Sequence, residues 1–317
     1  QLPEKALAGR FDKIRPCIGC GRCTDNQLMK GWGVMCSVNP SVGSEAAKHR
    51  IYSTRRAKKV AVIGGGPAGM EAARVASLRG HMVTLYEKED KLGGQMNQAI
   101  VPPHKSNLAA YLEYLRKQIS LQHVDIRTRT RASAQMIKKL NPDAVIIATG
   151  VSASKPDIPG ADKPSVLSAR AVLDGREPES KVVIIGGGLV GCETAEFLHG
   201  KGKQVTIIEL LEDIAGKMVY AQKTILEARL KAAGITVLTR ARCKEITNGG
   251  VIVITSEGDE LHIEAGSVII AYGEKPNDAL EQELKGTARE LHTAGDCVKP
   301  EGIAEAIAAG YMAAMAI

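Results

Sequence analysis

Much of this chain alternates between short unbroken apolar runs and glycine-marked, Ala-rich stretches. "KVAVIGGGPAGMEAARVASLRG", from Lys59, reads as a buried strand, a glycine turn and a helix. "HMVTLYEK" follows as a second strand. About 120 residues later the same pattern returns as "KVVIIGGGLVGCETAEFLHGKGKQVTIIELLE". This internal repeat predicts two dinucleotide-fold halves, each built on its own parallel sheet.

A meander of short strands is expected after each copy. In the second half, "ITVLTRARCKEITNGGVIVITSEGDELHI" carries hairpin signals at Asn248-Gly249-Gly250 and Glu257-Gly258-Asp259. The halves close alike, with "DAVIIATG" (Asp143 to Gly150) and "GSVIIAYG" (Gly266 to Gly273), both read as buried strands ending in glycine. The Pro-containing stretches "SASKPDIPG" and "GEKPNDAL" read as hinges. The expected class is α/β, with two Rossmann-like dinucleotide-binding domains, the second inserted in the first, behind a small cysteine-rich segment. The expected bounds are 1–50 for that segment, 51–152 and 284–317 for the two parts of the first domain, and 153–283 for the inserted one.

Composition narrows the function without deciding it. Hydrophobic residues are 44% and charged residues 24% of 317, an ordinary globular balance. Aromatics are only 3%, which leaves little to stack nucleobases on. The net charge of +7 is spread along the chain; its densest run, "STRRAKK" (Ser53 to Lys59), reads as a solvated linker. No apolar stretch approaches the roughly 20 residues of a membrane span. Neither nucleic acid nor membrane is expected as a partner, a homo-oligomer is compatible with the chain, and the expected location is the cytoplasm. The first residue is Gln rather than Met, which fits a processed form or a piece of something longer.

The candidate chemistry begins at the glycines. Gly64-x-Gly66-x-x-Gly69 follows the first strand directly, and Gly186-x-Gly188-x-x-Gly191 follows its repeat. The first glycine makes the turn, the second lets a pyrophosphate approach the backbone, and the third lets helix pack on strand. Glu87 and Glu209 each lie 23 residues beyond the first glycine, where a carboxylate accepts hydrogen bonds from an adenosine ribose. At Glu209 a 2′-phosphate would meet negative charge, and Leu210 and Leu211 follow with no Arg to receive it. NADH is therefore expected in preference to NADPH.

One of the two sites is expected to hold FAD. The sign is "HTAGDC", where Gly295 and Asp296 follow a short extended run and a helix begins at "GIAEAIAAGYMAA". Asp296 could bond a ribityl hydroxyl, and the helix start at Ile303 could face the flavin ring. An ordinary turn or helix cap is the plainer reading. "KLGGQ" is a second expected flavin-side loop. The flavin-side candidates are Gly64, Gly66, Pro67, Ala68, Gly69, Glu87, Lys88, Gly94, Gln95, Ala148, Thr149, Gly150, Gly295, Asp296 and Ile303. The nicotinamide-side candidates are Gly186, Gly188, Leu189, Val190, Gly191, Glu209 and Gly273. No side-chain acid or base is expected to be obligatory, because hydride passes between stacked rings.

The segment "PCIGCGRCTDNQLMKGWGVMC" has the spacing C-x2-C-x2-C-x12-C. Cys17, Cys20 and Cys23 fall on one coil with Gly19 and Gly21, and Cys36 arrives from a glycine-containing loop. Three close thiolates and one distant one match a [4Fe–4S] cube; zinc and disulfides are the alternatives. Cys192, Cys243 and Cys297 stand alone and read as small buried hydrophobes. No C-x-x-C pair lies in either nucleotide half, which argues against dithiol exchange.

Together "RPCIGCGRC…CSVNP", "VIGGGPAGMEAA", "EKEDKLGGQ", "VIIATG", "IIGGGLVG" and "TAGDC" resemble the C-terminal half of the 2,4-dienoyl-CoA reductase and trimethylamine dehydrogenase family, iron–sulfur members of the old yellow enzyme group. The likeness covers nearly the whole chain. It implies FAD in the first half, NADH in the second and a [4Fe–4S] cluster on Cys17, Cys20, Cys23 and Cys36. It also implies electron flow to an FMN-binding TIM barrel that reduces an enoyl-type substrate. That barrel is outside this sequence, so FMN is expected only in a further domain or partner. Two rivals stay open: an ADP-binding scaffold like that of the amine dehydrogenase branch, and a module like the small subunit of glutamate synthase.

Overall fold

The computed structural model describes residues 2–43, 51–154 and 156–317. Residues 44–50 of the expected thiol segment and Lys155 of the first expected hinge lie outside them. The chain divides into two compact units. One comprises the residues up to Asn97 with Ser106–Ser152 and Lys275–Ile317; the other comprises Gln98–Lys105 and Ala153–Glu274. Residues 275–283, read with the inserted domain, thus lie in the first unit, and the short stretch 98–105 lies in the second.

The strands of the first unit are β1 (Lys59–Ile63), β2 (Met82–Tyr86), β3 (Val124–Arg127) and β4 (Ala144–Ile147). After β5 (Val151–Ala153) come β6 (Val166–Ser168), β7 (Lys181–Ile185), β8 (Gln204–Ile208) and β9 (Thr236–Leu238). A meander of β10 (Arg242–Ile246), β11 (Gly250–Ile254) and β12 (Glu260–Glu264) precedes β13 (Ser267–Ile270). The chain closes with β14 (Glu274–Pro276) and β15 (Leu291–Thr293). Two five-stranded sheets result, ordered β15-β4-β1-β2-β3 and β6-β13-β7-β8-β9, and every pairing within them is parallel. The repeat read in the sequence is therefore a repeat in topology.

Helices cover the sheets: α1 (Pro67–Leu78), α2 (Ser106–Ser120), α3 (Leu189–Gly200) and α4 (Ile303–Ala316) are the longest beside the cradles. The unbroken apolar runs are explained by burial on both faces. Val182 and Ile184 of β7 pack with Cys192, Ala195 and Leu198 of α3, whereas Val183 and Ile185 pack with Val251 and Val253 of the meander. The meander pairs antiparallel through both predicted hairpins. The first half departs from expectation. Both repeats are followed by a helix, α2 in the first half and Tyr220–Ala232 in the second, but β3 and β4 are then joined by the helix Ala134–Leu140 where the second half has its strand meander.

Register positions the site. Ile63 pairs with Tyr86 on one side and Ile147 on the other, and Ile147 pairs with Thr293. Gly64, Glu87, Ala148 and the Ala294-Gly295 turn therefore leave the sheet at one edge. In the second unit Ile185 pairs with Ile208 and Ile270, which brings Gly186, Glu209 and Ala271 to the same edge of that sheet. These are the carboxyl ends of parallel strands, where α/β sheets bind ligands.

Helix α4 lies close on α1. A Cβ placed on Gly310 would stand 2.1 Å from the Ala68 carbonyl oxygen, so only glycine allows this approach. Among the described residues, no helix is long and apolar enough to cross a membrane. Replacing Gly310→Ala should force the helices apart and cost about 1–3 kcal/mol. A thermal melt should show a Tm lowered by several degrees; an unchanged Tm would mean that the contact is slack.

Candidate functional site: two phosphate cradles and a thiol segment

The two glycine turns are near copies. Gly64 and Gly186 have φ of 107° and 109°, a left-handed conformation that favours glycine. A Cβ on Gly69 would lie 1.8 Å from the Gly64 carbonyl oxygen, and one on Gly191 would lie 1.9 Å from that of Gly186. Turn and close packing thus account for the outer glycines of each triplet.

The middle glycines are different. Gly66 and Gly188 are N-caps with φ of −73° and −65° in extended backbone that any residue adopts. An added Cβ would meet nothing nearer than Gly94 Cα at 3.9 Å at the first, and nothing within 4 Å at the second. The fold does not need glycine at either position. A bulky group approaching the helix N-terminus does, and the exposed N–H groups there suit phosphate. Both cradles therefore fit a dinucleotide.

Each acid is fixed by its own cradle. Glu87 is buried, with Oε2 accepting from the Gly65 N–H at 2.6 Å and Oε1 from the Glu89 N–H at 2.9 Å. Glu209 is buried too, accepting from Gly187 at 2.6 Å and from Leu211 at 2.8 Å. The sequence reading gave these carboxylates a ribose; the structure adds that each also staples its glycine loop to the next strand.

The remaining flavin-side candidates gather around the first cradle. Pro67 opens α1, and Ala68 lies under a Cβ built on Gly295, at 2.9 Å. Gly94 packs on Gly66, while Lys88 is exposed and pairs with Glu89 at 3.7 Å. Gln95 is partly buried in the same loop. Ala148 backs Gly64, and Thr149 and Gly150 are held by Asn277, which the sequence reading missed. The Thr149 hydroxyl donates to the Asn277 carbonyl at 2.6 Å, and the Asn277 amide returns a bond to the Thr149 carbonyl at 3.1 Å. Its N–H also donates to Gly150 at 2.9 Å. Only the fold brings residue 277 to 149.

Asp296 sits in the turn before α4, which starts at Ile303, and accepts from the Glu301 N–H at 3.2 Å. Burial pushes its carboxyl above the usual range, against the hydrogen bonds from the Glu301 and Gly302 backbone. In the second unit Leu189 and Val190 are exposed at the start of α3, and Gly273 accepts from the Ser154 N–H at 2.6 Å.

The thiol segment is tied to the first cradle by a buried charge cluster. Glu71, on α1 one turn past Pro67, is wholly buried. Arg74 clamps it through Nε at 2.8 Å and Nη2 at 2.7 Å, and Arg15 Nη2 adds a bond at 3.3 Å. The Arg15 guanidinium also donates to the Val38 carbonyl and lies 5.8 Å from the Tyr114 ring. Arg15 precedes Cys17 by two residues and Val38 follows Cys36 by two, so one guanidinium closes the loop and docks it. Burial raises the Glu71 carboxyl, but Arg74 and Arg15 outweigh that and hold it below the usual range. Between the thiols, Arg22 pairs with Glu305 of α4 at 2.5 Å.

Within the segment Gly19 and Gly21 are left-handed, and the Gly19 N–H donates to Cys17 Sγ at 3.3 Å. Cys20 Sγ lies 3.2 Å from the Ser37 hydroxyl. Among the described residues no three His, Cys, Asp or Glu side chains are gathered as a metal site. The donor set and the glycine-turned coil suit a cluster, but the four thiols are not assembled around one point.

Residues 58–310 match the pyridine nucleotide-disulphide oxidoreductase family. The chain belongs to that family. It is 38% identical to an NADH oxidase of Thermoanaerobacter brockii, an alignment that covers all of this chain and 50% of the relative. It is 40% identical to a bilirubin reductase of Mediterraneibacter gnavus, over 98% of this chain and 48% of that protein. Among solved structures, a 2-naphthoyl-CoA reductase bound to 2-naphthoyl-CoA superposes with a TM-score of 0.96 at 33% identity, over all of this chain and 48% of the other. The chain thus spans about half the length of the relatives it matches. The resemblance to flavin-dependent reductases of the old yellow enzyme group is borne out.

None of the seven cysteines is paired in a disulphide. Cys192, Cys243 and Cys297 are buried in three separate core clusters. Burial pushes the Cys192 thiol up to about 12 and the Cys243 thiol up to about 11, so neither is a thiolate at neutral pH.

Glu71 gives a pH-dependent test. Its lowered pKa means that its stabilisation is complete above the ordinary value of 4.5 and is lost as pH falls through the folded value. Replacing Glu71→Gln strands two guanidinium groups and should cost about 3–5 kcal/mol at pH 7. Denaturant titrations should show that gap narrowing only in acid. A gap that is constant with pH would show that the carboxylate charge is not what matters.

Proposed function

We propose that the chain is the NADH-accepting flavin module of a larger reductase: FAD in the first unit, NADH in the second. The observation that carries this reading is glycine at 66 and 188, where neither backbone angle nor packing requires it. When bound, the flavin would supply the ability to accept two electrons together and release them one at a time.

The chain's own part is binding and orientation. Backbone N–H groups at the starts of α1 and α3 would take the two pyrophosphates. Glu87 and Glu209 have lone pairs left for the ribose hydroxyls, and they hold the loops in shape whether or not a ligand is bound. The turn at Gly295-Asp296 and the start of α4 at Ile303 would line the flavin side; Leu189 and Val190 would cover the coenzyme in the second unit. No acid or base of the chain is assigned to a proton transfer.

The same proposal gives Cys17, Cys20, Cys23 and Cys36 a [4Fe–4S] cluster. Their spacing, the N–H donated to Cys17 and the docking of the segment on α1 by Arg15 support it. It also includes an FMN-binding TIM-barrel domain or subunit as electron acceptor, and an enoyl-type final substrate. The support is the twofold length of relatives named as reductases.

Two measurements decide the reading. An anaerobic titration with NADH should bleach a flavin band, and NADPH should be the poorer reductant; a colourless protein that binds ADP would instead make the first unit a scaffold. Iron and acid-labile sulfide should both be found at about four per chain. Separately, Gly188→Ala should leave the Tm within a degree or so of the parent, because its Cβ has room, yet weaken NADH at least tenfold by intruding on the phosphate approach.

A further inference from the structure

The nucleotide edge of the second unit contains an arginine that the sequence places far from it. Arg240 lies 31 residues after Glu209, in the turn beyond β9. Its N–H donates to the Leu211 carbonyl at 2.9 Å, and the next N–H, of Ala241, donates to the Glu209 carbonyl at 2.9 Å. Leu211 in turn donates to the Glu209 carboxylate. Three consecutive hydrogen bonds thus fasten residue 240 beside the acid that marks the ribose end of the cradle. This corrects the expectation, read from Leu210 and Leu211 alone, that no arginine is available there.

The guanidinium of Arg240 is already engaged. Its Nη2 pairs with Glu212 Oε1, three residues after Glu209. Both side chains are mostly in solvent, at 57% and 76% exposure, so the pair is of the weak, exposed kind. A guanidinium can take carboxylate and phosphate alike through two parallel bonds, and a phosphate monoester is the stronger partner because it carries more than one negative charge near neutral pH. Glu209 and Glu212 set two carboxylates beside the one guanidinium of Arg240, while the neighbouring Asp213 is paired with Lys223. Without Glu212 the balance is even, and the arginine is released.

We propose that the Glu212–Arg240 pair is the coenzyme selector of this chain: Glu212 occupies Arg240 and so keeps a ribose 2′-phosphate out. The inference rests on the reading that the second unit binds a nicotinamide dinucleotide. Glu209 supplies a fixed repulsion, being buried and bonded to two backbone N–H groups. The Glu212–Arg240 pair supplies an adjustable one, held only by a contact in solvent.

The experiment is anaerobic calorimetric titration of the full chain, its flavin reduced beforehand with dithionite, with NADH and with NADPH, for the parent, Glu212→Gln, and Glu212→Gln combined with Arg240→Ala. The expected result is an NADPH Kd about tenfold tighter in the single variant, with the NADH Kd shifted less than about twofold. The gain should vanish in the double variant. NADPH binding unchanged in Glu212→Gln, with NADH binding intact, overturns the selector. So does a gain that survives loss of Arg240, because the effect would then be bulk charge. If the parent binds neither coenzyme, the functional reading itself fails and the selector falls with it.

Discussion

A single hydrogen bond recurs in both units and shapes what each can bind: a buried glutamate oxygen accepting the N–H of the residue after the first turn glycine, Gly65 in one and Gly187 in the other, at 2.6 Å in each case. It joins the end of one parallel strand to the loop leaving its neighbour. The bond is charge-assisted and out of water, so it is of the strong kind. Strand register is what lets it form. With Ile63 opposite Tyr86 and Ile185 opposite Ile208, the acid leaves its strand level with the glycines. A slip of one residue would point the carboxylate to the other face of the sheet.

The first unit adds a second constraint, a carboxylate with no exposure held between two guanidinium groups. Such a cluster is a costly way to gain stability, since each charge must be taken out of water. What it secures is position. Arg15 reaches the Val38 carbonyl at the far end of the cysteine segment and Glu71 on the helix that begins at the phosphate cradle. Arg22, bonded to Glu305, fastens the middle of that segment to the helix that starts at Ile303. The cysteine segment is thereby bonded to both helices that start at the nucleotide edge of this unit.

The fold was legible in the sequence where local signals agreed. The repeated strand, glycine turn and helix fixed the two sheets, and glycine-containing turns marked the meander. In the first half the helix Ala134–Leu140 stands where a meander is expected; only Ala134 and Ile137 of it are buried, too few positions to show a helical period. At the candidate site, positions adjacent in sequence to a glycine turn were readable. Asn277 and Arg240 were not, because each reaches its partners only after strands far apart in sequence pair side by side. Glu71 and Arg74 looked like ordinary helix polar residues, and burial alone distinguishes them. Spacing names four candidate thiol ligands near the N-terminus, but not whether their sulfur atoms share one point, and in the structure they do not.

The unequal surroundings of the cysteines divide the chain into two chemical populations. Cys192 and Cys243 are shut in apolar cores with raised thiol pKa, and Cys297 is equally enclosed. Cys17 and Cys23 are exposed, and Cys20 and Cys36 are partly so. With no iron bound to those four sulfurs, alkylating reagents would address the N-terminal segment and leave both sheets unmarked until the protein unfolds. The molecule carries its own built-in distinction between a surface handle and an internal gauge of folding.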